Sequence, residues 1–189
     1  MPNDLTPASP EVLRQDAGES PGGPARVELL LETHRVIGII DQPGPPRRLV
    51  DVLNAIDGPV AVVRDGLVEN LAHLNGEAQR FGLLQVNREA ILLAIPVSNG
   101  PPPPRSREVV EKRPVVATLV LPGLQITGHV YLPPQADSGT LRLLGRDGFL
   151  PVTDAEVTQV AFGLCQRREP LVVVNLSTTI LCALAAPHS

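Results

Sequence analysis

Apolar and polar residues alternate along much of the chain in short runs, the period of a strand with one buried face rather than of a long helix. In RVELLL (26–31), Val27, Leu29 and Leu31 share one face. ETHR (32–35) reads as a tight polar turn, and VIGIID (36–41) as a second strand with Gly38 inside it. A glycine within a strand marks a bulge or a sharp bend, as where a small barrel turns a corner. QPGPP (42–46) breaks the chain, and Leu49, Val52 and Leu53 in RRLVDVLN (47–54) have the spacing of a short amphipathic helix. PVAVV (59–63) predicts a third strand, followed by an irregular stretch to Gly82. LLQVN (83–87) and AILLAI (90–95) predict a closing pair of strands. Five short strands with a bent second one close well into a small barrel; a sheet packed on one helix is the alternative.

The same series recurs. At a constant offset of ninety, residues 27–65 pair with 117–155. The identities are Leu29/Leu119, Leu31/Leu121, Gly38/Gly128, Pro43/Pro133, Leu53/Leu143, Asp57/Asp147, Gly58/Gly148 and Val62/Val152. These are eight of 39 pairs, where about three would arise by chance in such a composition. After a two-residue shift, LLQVN (83–87) matches LVVVN (171–175), and each is followed by a polar turn and another apolar run, AILLAI (90–95) and TILCAL (179–184). The pattern predicts a tandem duplication, with copy one over 26–96 and copy two over 115–186. Residues 1–25, rich in Pro, Gly, Ser and Asp, predict a disordered tail. Residues 97–114 contain four consecutive prolines and predict a semi-rigid spacer.

Composition narrows this picture. Aromatics are 2 %, with no Trp, so the core must be built from Val, Leu, Ile and Ala. A net charge of −4 lacks the basic field that supplies most non-specific nucleic-acid affinity. The apolar run 171–186 is shorter than a membrane span and is interrupted by Asn175, Ser177, Thr178 and Thr179. The N-terminus has no basic region followed by an apolar one, so no secretion signal is expected. The expectation is a soluble, cytoplasmic protein.

RVELLLETHRVIGII (26–40) resembles the first two strands of an Sm-like domain, a turn followed by a strand with a fixed Gly. FLPVTDAEV (149–157) is similar to the third strand of that family. LLQVNREAILLAI and LVVVNLSTTILCAL resemble its fourth and fifth strands, a hairpin with a very short turn. The order of Gly, short helix and FLPVTDA is also similar to that of uncharacterised bacterial domains. The resemblance covers both copies. It implies an all-β fold, with one short helix per repeat, made of two tandem small Sm-like β-barrels. It also implies RNA contact through an Asp-x-x-x-Asn element after the second strand and an Arg-Gly step before the last. Copy one offers Asp51 and Asn54, within a helix-like insert, and Asn87 with Arg88. Copy two has LRLLG (141–145), with no acid or amide, and Asn175–Leu176; neither copy has the Gly.

Chemistry-bearing residues are scattered. His34, His73, His129 and His188 share no ligand spacing, so no metal and no cofactor are expected. Cys165 and Cys182 form no metal or redox motif and read as small core residues. Ser177, Thr178 and Thr179 fall in a predicted turn, as do Asp57–Gly58 and Asp65–Gly66. Arg47–Arg48 and GRD (145–147) read as solvated loop charge. Asn87 and Asn175 occupy equivalent places, where Asn suits a left-handed turn or lines a ligand groove. The sequence therefore favours a non-enzymatic binding or assembly module that self-associates through edge strands or joins another protein. An Sm-like RNA binder and an enzyme with a site between the copies are the alternatives.

Overall fold

A computed structural model describes residues 25–40, 48–72, 77–97, 112–133, 148–159 and 165–184. The first half holds β1 (Ala25–Leu30), β2 (His34–Ile40), α1 (Leu49–Asn54), β3 (Val60–Asn70), β4 (Gln79–Asn87) and β5 (Leu93–Pro96). The second holds β6 (Arg113–Leu121), β7 (Leu124–Leu132), β8 (Phe149–Gln159), β9 (Cys165–Asn175) and β10 (Leu181–Leu184). Among the described residues the fold is all-β apart from α1 and two single 3-10 turns, Arg88–Ala90 and Leu176–Thr178. The tail, most of the Pro-rich spacer and any helix of the second half lie outside the described residues. Arg113 and Pro114, expected in the spacer, already belong to β6.

All ten strands form one antiparallel sheet in the order β10–β6–β7–β8–β9–β5–β1–β2–β3–β4. Each half has its fifth strand beside its first and its fourth at the far end. The halves join where β9 pairs with β5, with Val174 opposite Leu93 and Val173 opposite Ala94. Two separate closed barrels are therefore not what the ladder forms: the sheet is single and open, ending on β4 and β10. Nor are the fourth and fifth strands of a half a hairpin. Each chain leaves its fourth strand through a 3-10 turn and reaches the opposite edge of its own half.

That crossing requires curvature. A flat five-stranded sheet is about 19 Å wide at ~4.8 Å per strand. Between Asn87 and Leu93, three residues are wound in a 3-10 turn, so the connection spans roughly 16 Å at most. Each half must curl for its ends to meet.

Bulges supply the bend. The register of β2 on β3 shifts between Ile37 and Ile39, so that Asp65 and Gly66 face Gly38 alone. The register of β7 on β8 shifts between Thr127 and His129, placing Asp154 and Ala155 against Gly128. Asp65 and Asp154 both take φ 49°, a left-handed conformation that Asp tolerates better than most residues. Asp65–Gly66 is thus a bulge inside β3 rather than a turn, and the stretch expected to be irregular is mostly β3 and β4. A Cβ on Gly38 would collide with Val63 and lie 2.8 Å from the Arg64 carbonyl oxygen. On Gly128 it would lie 2.7 Å from Val152 Cγ1 and 2.8 Å from the Thr153 carbonyl oxygen. Glycine stands at these corners because the bulged strand passes directly over them. The geometry also corrects the alignment: Val152 takes the place of Val63, not Val62, so the offset falls from ninety to 89 after β2.

Two cores result, and they interlock at the joint. One contains Val27, Leu29, Val36, Leu53, Val63 and Ile91 from the first half, with Phe149 and Val173 from the second. The other contains Leu119, Ile126, Val130, Val152, Val172 and Val174, with Leu30, Leu93 and Ile95 from the first half. Alternate residues of β5 and β9 thus face different cores. This is why both strands are apolar at consecutive positions, as strands buried on two sides are.

Candidate functional site at the joint between the halves

Two of the four residues singled out for RNA contact, Asn54 and Arg88, lie at this joint. Asn54, the last residue of α1, reaches across to β8: its Nδ2 donates to the Phe149 carbonyl (3.0 Å), and its Oδ1 accepts from the Phe149 N–H (2.7 Å). The amide thereby imitates one rung of a β-ladder. Arg88 donates through Nε to the Leu53 carbonyl at 3.3 Å, and its guanidinium lies 5.1 Å from the centre of the Phe149 ring. Asp51 lies apart, on the exposed side of α1, where both oxygens accept from Arg48 at 2.8 and 3.0 Å. Those hydrogen bonds hold the Arg48 pKa above its usual value against a smaller effect of burial.

Asn87 and Asn175 share a local role and differ in what lies beyond it. Each precedes a 3-10 turn with extended, not left-handed, backbone, and each side chain accepts the N–H two residues on. Asn175 is buried and does more. Its Nδ2 donates to the Ile91 carbonyl (2.9 Å) and the Arg88 carbonyl (3.3 Å) across the joint, and its backbone N–H donates to the Leu92 carbonyl (3.0 Å). Thr178 and Thr179 hydroxyls both donate to its carbonyl at 3.0 Å. Asn87 is exposed and makes only the capping bond to the Glu89 N–H (3.0 Å).

A charge network flanks the joint. Glu28 on β1 is buried; it accepts from Arg35 Nε (3.1 Å) and from Arg167 Nη1 on β9 (2.8 Å). Arg35 also pairs with Glu69 at 3.0 Å, and Arg167 lies 3.5 Å from Glu169. Burial lowers the Arg35 pKa, and the Glu28 and Glu69 carboxylates outweigh it, so that the guanidinium sits above its usual value. This network was not legible in the sequence: Glu28 sits in an alternating strand where an exposed acid is the ordinary expectation.

Elsewhere, His34 begins β2 rather than sitting in a turn, and His129 Nδ1 lies 3.6 Å from Asp154. Cys182, expected in a core, is exposed on β10, and desolvation raises its thiol pKa. Among the described residues no three His, Cys, Asp or Glu side chains converge on one point, and no helix is long and apolar enough to cross a membrane. No family model, curated protein or solved structure matches the chain.

Proposed function

We propose that the protein is a non-enzymatic assembly module, a duplicated pair of small Sm-like domains that acts through its open sheet edges. The carrying observation is the contrast between joint and ends: β5 and β9 bury their apolar runs against each other, whereas Phe81 and Leu83 on β4 and Ile180 and Leu181 beside or on β10 are exposed. Unpaired apolar edges are a hazard unless a partner covers them. The bent, glycine-bearing second strand and the short link from fourth to fifth strand support the Sm-like kinship. Two of the four polar side chains considered for RNA contact, Asn54 and Arg88, are engaged at the joint between the halves, which favours assembly over RNA binding.

The test is native mass spectrometry of the protein purified from expressing cells. Masses above the 20.1 kDa chain are expected, from further copies or a companion protein. They should vanish on Leu83→Lys or Leu181→Lys while the circular dichroism spectrum is kept. A lone chain, or an assembly indifferent to both changes, refutes the proposal.

A further inference from the structure

Two Asp-Gly steps in the first half share a dipeptide and differ in their surroundings. Asp57–Gly58 lies in the open link between α1 and β3. Asp57, Gly58 and Pro59 are exposed, a Cβ on Gly58 would meet nothing within 4 Å, and Gly58 takes φ 92°. Among the described residues no hydrogen bond engages the Gly58 N–H. Asp65–Gly66 lies instead in the bulge of β3, held between β2 and β4. Gly66 is buried, a Cβ there would collide with Leu84, and Asp65 is held at φ 49°.

An aspartate followed by glycine carries an electrophile and a nucleophile in one dipeptide. The glycine nitrogen lies within reach of the side-chain carboxyl, and glycine lacks the Cβ that would obstruct the approach. We infer that Asp57–Gly58 is a modification site, where the chain closes a cyclic imide on itself and reopens as isoaspartate, and that the sheet protects Asp65–Gly66 from the same reaction. The Gly58 nitrogen attacks Cγ of the neutral Asp57 carboxyl and forms an N–Cγ bond. The proton of that nitrogen and the carboxyl hydroxyl leave as water. Water then adds back to one of the two imide carbonyls. Cleavage of the new bond restores aspartate. Cleavage at the main-chain carbonyl carbon leaves a chain that runs through Cγ, one methylene longer, with the α-carboxylate as a branch. Closure requires Asp57 to rotate against Gly58, a motion open to an exposed link. In β3 the same motion would break the pairing of Arg64 with Leu83 and of Gly66 with Phe81. Opening a paired strand costs free energy that moving an exposed loop does not.

The product bears on the joint. Residues 55–59 connect Asn54, which clasps Phe149 on β8, to Val60 at the start of β3. Within that link the Pro59 carbonyl accepts from the Arg88 N–H at 2.7 Å. Asn54 is held by two hydrogen bonds and Pro59 by one, so a longer link releases the Pro59–Arg88 bond first. Ageing of the chain at this step thereby loosens the turn that carries Arg88 beneath Phe149.

The full-length protein is aged at mildly acidic pH, both folded and in urea. Peptides containing residues 57 and 65 are then read by electron-transfer fragmentation, which separates isoaspartate from aspartate. In the folded protein isoaspartate at residue 57 should exceed that at residue 65 by about tenfold or more, an excess that urea removes. Asp57→Glu, for which closure needs a six-membered ring, should show no isomer at that position. Equal rates at the two steps in the folded protein, or a residue 57 that isomerises in urea but not in the folded chain, overturn the inference. Hydrogen exchange at the Arg88 amide reads the consequence: it should quicken in the aged protein and stay unchanged in aged Asp57→Glu. Isoaspartate at residue 57 with unaltered exchange at Arg88 overturns the link to the joint.

Discussion

Replacing Asn175 and Asn87 by Ala tests the joint most directly, because one substitution is made at two corresponding positions in different surroundings. At Asn175 the side chain caps the 3-10 turn, accepting from the Ser177 N–H (3.1 Å) and hydroxyl (2.7 Å). Losing such a cap costs about 1 kcal/mol. The same side chain is also the donor to the Ile91 carbonyl, and Ile91 is fully buried. Leaving a buried carbonyl unpaired costs about 1–3 kcal/mol more. Asn175→Ala should therefore lose about 2–4 kcal/mol, a fall in Tm of roughly 4–16 °C for a chain of this size. Asn87→Ala removes only an exposed cap and should lose about 0.5–1 kcal/mol in dilute protein. Thermal and urea unfolding followed by circular dichroism, at concentrations where single chains prevail, measures both. Equal losses would refute the argument that Asn175 acts across the joint.

The remaining predictions concern the bends, the charge network and the edge thiol. Gly38→Ala and Gly128→Ala each set a Cβ against a backbone carbonyl that cannot rotate away. Each should cost about 1–3 kcal/mol in urea unfolding, and a neutral result at either would show that the bulge relaxes. Glu28→Gln leaves Arg167 and Arg35 facing a neutral group in a partly buried place. A loss of about 1–3 kcal/mol is expected, below that of a fully buried pair because 27 % of the Arg35 side chain and 28 % of the Arg167 side chain are exposed; a loss under about 0.5 kcal/mol would mean water serves as well as the carboxylate. Desolvation raises the Cys182 thiol pKa, so less reactive thiolate is present at a given pH than in a free cysteine. The rate of iodoacetamide labelling at Cys182, mapped by peptide, should rise at a higher pH than in a model peptide; an equal or lower inflection would contradict this.

The sequence by itself determined the local structure. Alternation placed the early strands of each half, Leu49, Val52 and Leu53 marked α1, and Gly38 and Gly128 marked the corners. Each of these depends on neighbours a few residues away or on a backbone that only one residue type fits. It also announced, in consecutive apolar residues at 83–87, 90–95, 171–175 and 179–184, strands built to be covered on both sides. What sequence could not supply was which of these strands meet. LLQVN and LVVVN look alike, yet Val173 and Val174 are buried between two cores while Leu83 is exposed. Pairing across the sheet joins residues about eighty positions apart, and a run of Val and Leu carries no mark of its partner. The same gap explains the candidate site. Asn54, Asn87 and Arg88 were picked out as groups able to touch a ligand, but Asn54 and Arg88 are spent on Phe149 and the Leu53 carbonyl. Asn175, which carries the strongest set of bonds at the joint, looked in sequence like its exposed counterpart. A side chain's type fixes which bonds it can make. Only the tertiary fold, by bringing β5 beside β9 and leaving β4 and β10 at the ends, decided which bonds are made and where the chain still has an edge to offer.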